Sequence, residues 1–130
     1  MKIFVYGSLL RGMANHDVIK DAQYGGRART APEFTMVRLG YYPGVIHEGD
    51  QSIVGELYEL SPVQLQRVDM LEGHPDYYKR KQIVLNTGDK AWIYLLGREY
   101  LDKYPHVPDG YWKRYYLAFK DFQESNERLY

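Results

Sequence analysis

The chain contains no cysteine in its 130 residues. That excludes disulfides, thiolate nucleophiles and thiolate-bound metals, and fits a reducing compartment, with the cytoplasm as the expected location. It also lacks net charge, since 17 Lys and Arg balance 17 Asp and Glu. A general electrostatic grip on nucleic acid or on an anionic membrane is therefore not expected. No stretch approaches the ~20 apolar residues of a membrane span, and the opening apolar run Ile3–Tyr6 is too short for the core of a signal peptide. The histidines His16, His47, His74 and His106 lie far apart without metal-ligand spacing, so a metal site is not expected. Ser8 sits in no Gly-x-Ser-x-Gly elbow, and no His/Asp pairing can be assigned to it, which argues against a serine nucleophile.

What is present reads as one domain over residues 1–130, long enough to bury roughly two-thirds of its unfolded surface. Tyrosine is abundant, 14 copies against 4 Phe, so much of the aromatic surface carries a hydroxyl that needs a partner. Ile3–Tyr6 predicts a central strand buried on both faces and ending in a Gly7-Ser8 turn. Asn15 is placed as the cap of a short helix carrying Val18, Ile19 and Ala22, stopped by Gly25-Gly26. Further strands are expected over Phe34–Leu39, Ile53–Leu60, Gln82–Leu85 and Ala91–Leu96, the last two joined by a hairpin at Asn86–Asp89. Ser61, Pro62 and Gln64 spell a capping box for a helix over about Pro62–Glu72, with Leu65, Val68 and Leu71 as its buried stripe and Gly73 as its stop. The class is α+β. Residues 118–130 are expected to be a surface helix or a frayed tail.

Two places can carry chemistry. Glu72 closes the second helix, where unpaired carbonyls and the neighbours Met70, Leu71, Tyr77 and Tyr78 both disfavour a charged carboxylate and raise its pKa. Such a group exchanges protons near neutral pH. The turn Tyr6-Gly7-Ser8-Leu9 offers backbone amides and a hydroxyl at a strand end, which suits an anionic group. Local sequence leaves the plainer alternatives open: a solvated surface glutamate and an ordinary turn. Tyr111–Tyr116 interleaves aromatic and basic side chains as single-strand binders do. A strand or loop packing those rings inward is the favoured reading, and no nucleic-acid partner is expected.

Together these residues resemble the gamma-glutamylcyclotransferase-like superfamily, whose members open on a strand ending Tyr-Gly-Ser/Thr-Leu and carry a catalytic Glu before Gly-x-Pro. Tyr6-Gly7-Ser8-Leu9 matches the first mark, and Glu72-Gly73-His74-Pro75 followed by Tyr78-Lys79-Arg80 matches the second. Tyr42-Pro43-Gly44-Val45, Val54-Gly55-Glu56-Leu57-Tyr58 and Gly110-Tyr111-Trp112 extend the likeness over about residues 1–116, and Arg11–His16 is most similar to the gamma-glutamylamine cyclotransferase branch. The resemblance implies a compact mixed, largely antiparallel β-barrel flanked by short helices. It also implies release of 5-oxoproline from a gamma-glutamyl amine or peptide without a cofactor. Glu72 would be the acid/base, with Tyr6, Gly7, Ser8, Leu9 and Tyr78 binding substrate. A non-catalytic module holding a small molecule or peptide on the same fold is the alternative, and the sequence leaves monomer or homodimer undetermined.

Overall fold

The computed structural model describes the backbone of residues 1–128 and the side chains of residues 1–123. The strands are β1 (Lys2–Val5), β2 (Gln23–Arg29), β3 (Phe34–Arg38), β4 (Pro43–Gln51), β5 (Val54–Glu59), β6 (Lys79–Val84) and β7 (Lys90–Leu95). The helices are α1 (Pro62–Glu72) and α2 (Trp112–Arg128). Five strands form one sheet in the order β2-β5-β1-β7-β6, and β3 pairs with β4 in a second sheet.

The opening apolar run explains the centre of this arrangement. Side chains alternate across a strand, so Ile3 and Val5 face a core that includes Leu65 and Val68 of α1. Phe4 faces the other way, into a core with Phe34, Met36, Val45 and Trp112. A strand apolar on both sides can sit only in the middle. β1 accordingly pairs antiparallel with β5, Ile3 opposite Tyr58, and parallel with β7, Ile3 opposite Trp92.

The α+β class holds, and so does the mixed, largely antiparallel sheet, but among the described residues the strands do not close into the expected barrel. The edge strands β2 and β6 approach at one end, where Asn86 N–H donates to Arg29 O (3.0 Å) and Arg29 N–H to Asn86 Oδ1 (2.8 Å). Elsewhere β6 exposes Lys79, Lys81 and Gln82, charged and polar side chains of the kind that keep a sheet edge from pairing. The β3–β4 sheet packs across instead, joined to the end of β7 by Leu96 N–H to Val45 O (2.9 Å).

Helix α1 runs as its signals say. Ser61 Oγ accepts from Gln64 N–H (3.2 Å), Gln64 Oε1 accepts from Ser61 N–H (2.8 Å), and Gly73 ends it with φ 66°. Leu65 and Val68 are buried, but Leu71 is 43% exposed rather than part of the core stripe. The short helix expected after Asn15 is a single 3-10 turn, His16–Ile19, in which Asn15 makes no side-chain cap bond. Tyr111 lies in the loop before α2, and Trp112–Tyr116 forms the start of that helix rather than a strand or loop. Its aromatics do point inward: Trp112 is 1% exposed and packs on Tyr115 and Tyr116 with ring centroids 5.7 and 5.6 Å away. Rings spent on the core are not available to stack on bases. The final segment is helical through Arg128, and Leu129 and Tyr130 lie outside the described residues. No helix among the described residues is long and apolar enough to cross a membrane.

Candidate active site

Strand β1 ends one residue before Tyr6, a buried side chain whose hydroxyl donates to Tyr94 O (2.7 Å). At Gly7 the chain passes so close to Pro43 that an added Cβ would stand 2.6 Å from its Cγ and 2.8 Å from its Cδ. Glycine is thus required there by contact rather than by torsion. The chain then curls back on itself, with Leu10 N–H donating to Gly7 O (3.0 Å) and Asn15 N–H to Ser8 O (2.8 Å). The amides of Gly7, Ser8 and Leu9 find no acceptor among the described residues. Three successive donors left unpaired at a strand end are a geometry that can take an anion.

Buried Glu56 anchors this loop from beneath. Its Oε1 accepts Arg11 N–H (3.0 Å) and the Tyr58 hydroxyl (3.0 Å), while the Arg11 guanidinium lies 4.0 Å from the Tyr24 ring centroid. Asn15 Nδ2 donates to Ser8 Oγ (3.0 Å), so this residue closes the loop instead of capping a helix.

Glu72 is the last residue of α1. Its own carbonyl accepts Tyr78 N–H (3.2 Å) and the Gly73 carbonyl accepts Tyr77 N–H (2.8 Å), so residues 73–78 wrap around the helix end and bring both tyrosines back to it. The Glu72 side chain enters a cavity of about 230 Å³ that Tyr6, Gly7, Ser8, Leu9 and Tyr78 also line. All six residues singled out in the sequence therefore meet in one hollow. Burial pushes the Glu72 carboxyl up from 4.5 to about 7, because a low-dielectric site penalises the charged form. Burial also raises the Tyr6 and Tyr78 hydroxyls, and the negative potential of Glu72 adds to both shifts.

One expectation is corrected in detail. Met70 is 80% exposed and does not line the cavity with Glu72, so the shielding comes from Leu71, Tyr77, Tyr78 and the turn. The Tyr78 hydroxyl donates to Pro43 O (2.7 Å). Sequence reasoning missed Asn15, Tyr42, Pro43 and Tyr94 as lining residues. Tyr42-Pro43 had a signal, being one of the stretches that carry the resemblance. Tyr94 had none, because its place follows from the parallel pairing of β7 with β1. His16 Nδ1 contacts Leu9 O (2.9 Å) and His74 Nδ1 accepts Arg80 N–H (3.2 Å), and neither lines the cavity. No group of three His, Asp or Glu side chains that could hold a metal ion occurs among the described residues.

The family described as Gamma-glutamyl cyclotransferase, AIG2-like, matches residues 3–114. The chain belongs to this family. A Methanocaldococcus jannaschii protein whose gamma-glutamylcyclotransferase name is itself provisional is 42% identical over 99 residues, covering 72% of this chain and 82% of the relative. The gamma-glutamylaminecyclotransferase of Rattus norvegicus is 37% identical over 87 residues, covering 60% of this chain and 58% of the relative. The crystal structure of an AIG2-like protein from Mus musculus superposes with a TM-score of 0.68 at 28% identity, covering 83% of this chain and 86% of that one. The protein is thus an enzyme of the gamma-glutamylcyclotransferase family with the AIG2-like fold, and its cavity residues all fall inside the matched span.

Proposed function

We propose that the enzyme cyclises a gamma-glutamyl amine or peptide, releasing 5-oxoproline and the free amine, with Glu72 as general acid and base. The observation that carries this reading is the meeting of a carboxyl raised to about 7 with the unpaired amides of Gly7, Ser8 and Leu9 across one small cavity. At about 230 Å³ the cavity is below the ~300 Å³ lower end for drug-sized ligands, and fits a moiety of amino-acid size.

The reaction needs no water. The Glu72 carboxylate takes a proton from the substrate's α-ammonium, and the freed nitrogen attacks the γ-carbonyl carbon to form the lactam C–N bond. The developing oxyanion or the α-carboxylate is held by the turn amides and the Ser8 hydroxyl. The amide C–N bond then breaks as Glu72 returns its proton to the departing nitrogen and takes up the second proton of the new ring nitrogen, which the freed amine carries away as an ammonium. A pKa near the working pH lets one carboxyl perform both transfers. Tyr6 and Tyr78, each with its hydroxyl hydrogen spent on a backbone carbonyl, fix the walls around the folded substrate. Holding that five-ring conformer is worth on the order of 7 kcal/mol of the barrier.

Glu72→Gln tests the assignment. Release of 5-oxoproline from gamma-glutamyl amines, dipeptides and glutathione is expected to fall by about 10²–10⁴ with circular dichroism unchanged. Undiminished release by the variant would remove Glu72 from the mechanism.

A further inference from the structure

The cavity's mouth differs from its floor. Tyr42, Tyr77 and Leu71 line it while remaining 42%, 41% and 43% exposed, so these three form a wall facing outward from the reacting centre. The Tyr42 and Tyr77 hydroxyls lie 3.4 Å apart, which ties the two rings together across the opening. Tyr77 is held edge-on against Tyr78 (5.0 Å) and Tyr100 (6.2 Å), and Tyr100 stacks on Tyr104 (5.8 Å). The wall is therefore a supported aromatic surface and not a pair of loose side chains. Among the described residues no Lys, Arg or His lines the cavity, which leaves Glu72 as the one acidic or basic side chain of that described lining.

From this wall and this charge inventory we infer that the departing amine carries an uncharged apolar substituent, aromatic or branched aliphatic, which packs on Tyr42, Tyr77 and Leu71. The inference rests on the cyclisation reading. Glu72 must reach the leaving nitrogen to protonate it. A carboxylate on the adjacent carbon, as in any α-amino acid leaving group, then sits a few ångströms from the Glu72 carboxylate; the substrate's own α-ammonium is already paired with Glu72, and no Lys, Arg or His of the described lining offsets the second anion. At the effective dielectric of a partly buried site such a like-charge pair costs about tenfold or more in affinity. A cationic substituent gives up hydration against the same apolar wall, and the hollow beyond Tyr77, where Lys79, Arg80 and Lys81 stand with Asp76 and Glu99, offers it mixed charge rather than a matching acidic site.

Four amides of gamma-linked glutamate test this, with 5-oxoproline release as the readout: phenethylamine, phenylalanine, methylamine and 1,4-diaminobutane. Phenethylamine and phenylalanine offer the same ring and differ only in the carboxylate. The phenethylamide is expected to exceed the phenylalanine peptide in kcat/KM by about tenfold or more, and to exceed the methylamide and the diamine by about two- to tenfold, the worth of an aromatic contact. Tyr42→Ala is expected to shrink the phenethylamide-to-methylamide ratio by a similar factor. Equal or better turnover of the phenylalanine peptide or the diamine overturns the inference and leaves the cyclisation standing, as does an unchanged ratio in Tyr42→Ala. Absence of 5-oxoproline from all four overturns both.

Discussion

Glu72→Gln has a consequence for stability that is separate from catalysis. The carboxyl ionises near 4.5 in the unfolded chain and near 7 in the fold, and burial is the cause. Between those values the folded state keeps a proton that the unfolded state has released. Stability therefore falls as pH rises through this interval and levels off above pH 7. The interval is worth about 3 kcal/mol at 1.36 kcal/mol per unit, and water at a half-buried carboxyl lowers this to about 1–3 kcal/mol. Glutamine keeps the shape and never ionises. At pH 8 the variant is expected to be more stable than the parent by about 1–3 kcal/mol, a rise in Tm of about 4–10 °C for a domain of this size. At pH 4.5 the two should agree within about 0.5 kcal/mol. Urea unfolding from pH 4.5 to 8.5 measures the difference directly. A gap independent of pH, or a less stable variant at pH 8, refutes the argument that Glu72 is held against its own ionisation.

On the proposed mechanism the same carboxyl sets the pH dependence of turnover: kcat/KM for 5-oxoproline release should climb with a midpoint near 7, and the residual rate of Glu72→Gln should lack that limb. Gly7→Ala drives a methyl to within 2.6 Å of Pro43. It should cost about 1–3 kcal/mol in urea unfolding and about 10² in turnover, because the amides it displaces are the proposed anion site. Glu56→Ala strips the acceptor from Arg11 N–H and the Tyr58 hydroxyl. The expected losses are about 2 kcal/mol of stability and a raised KM, rescued in part by glutamine. Ser61→Ala removes one half of a capping box and should cost about 1 kcal/mol in thermal unfolding with KM unchanged.

How much of this fold could be read in advance depends on how local its causes are. Helix α1 was legible because Ser61, Pro62, Gln64 and Gly73 each act within a turn of their own position, and β1 because an unbroken apolar run must be central. Strands β2 and β4 were not. Gly25-Gly26 reads as a stop, yet these residues lie within β2, which pairs with β5 through an irregularity between Tyr24 and Gly26. In β4 the Pro43-Gly44 start and the polar His47–Gln51 end mask a strand whose Gly44 is demanded by the Leu96 side chain packed over it. The start of α2 did have a local sign: Trp112, Tyr115, Tyr116 and Phe119 recur at helical spacing, which outweighs the alternation of aromatic and basic residues that suggested a strand or loop.

The site divides along the same line. Glu72 and the Tyr6–Leu9 turn are found from sequence because each marks the end of an element, and element ends leave backbone groups without a partner in that element. Their meeting is a long-range fact. It follows from α1 leaving the edge of β5, which pairs with β1 directly, so the helix runs back across the sheet until its last residue stands over the end of that same strand. The mouth tyrosines follow from longer range still. Tyr42 comes from the β3–β4 connection and Tyr77 from the loop after α1, and nothing in either stretch names the other. The proposed catalytic group can thus be legible while the surface proposed to select its substrate is not. The first is fixed by one element's terminus, and the second exists only where two loops from different sheets converge.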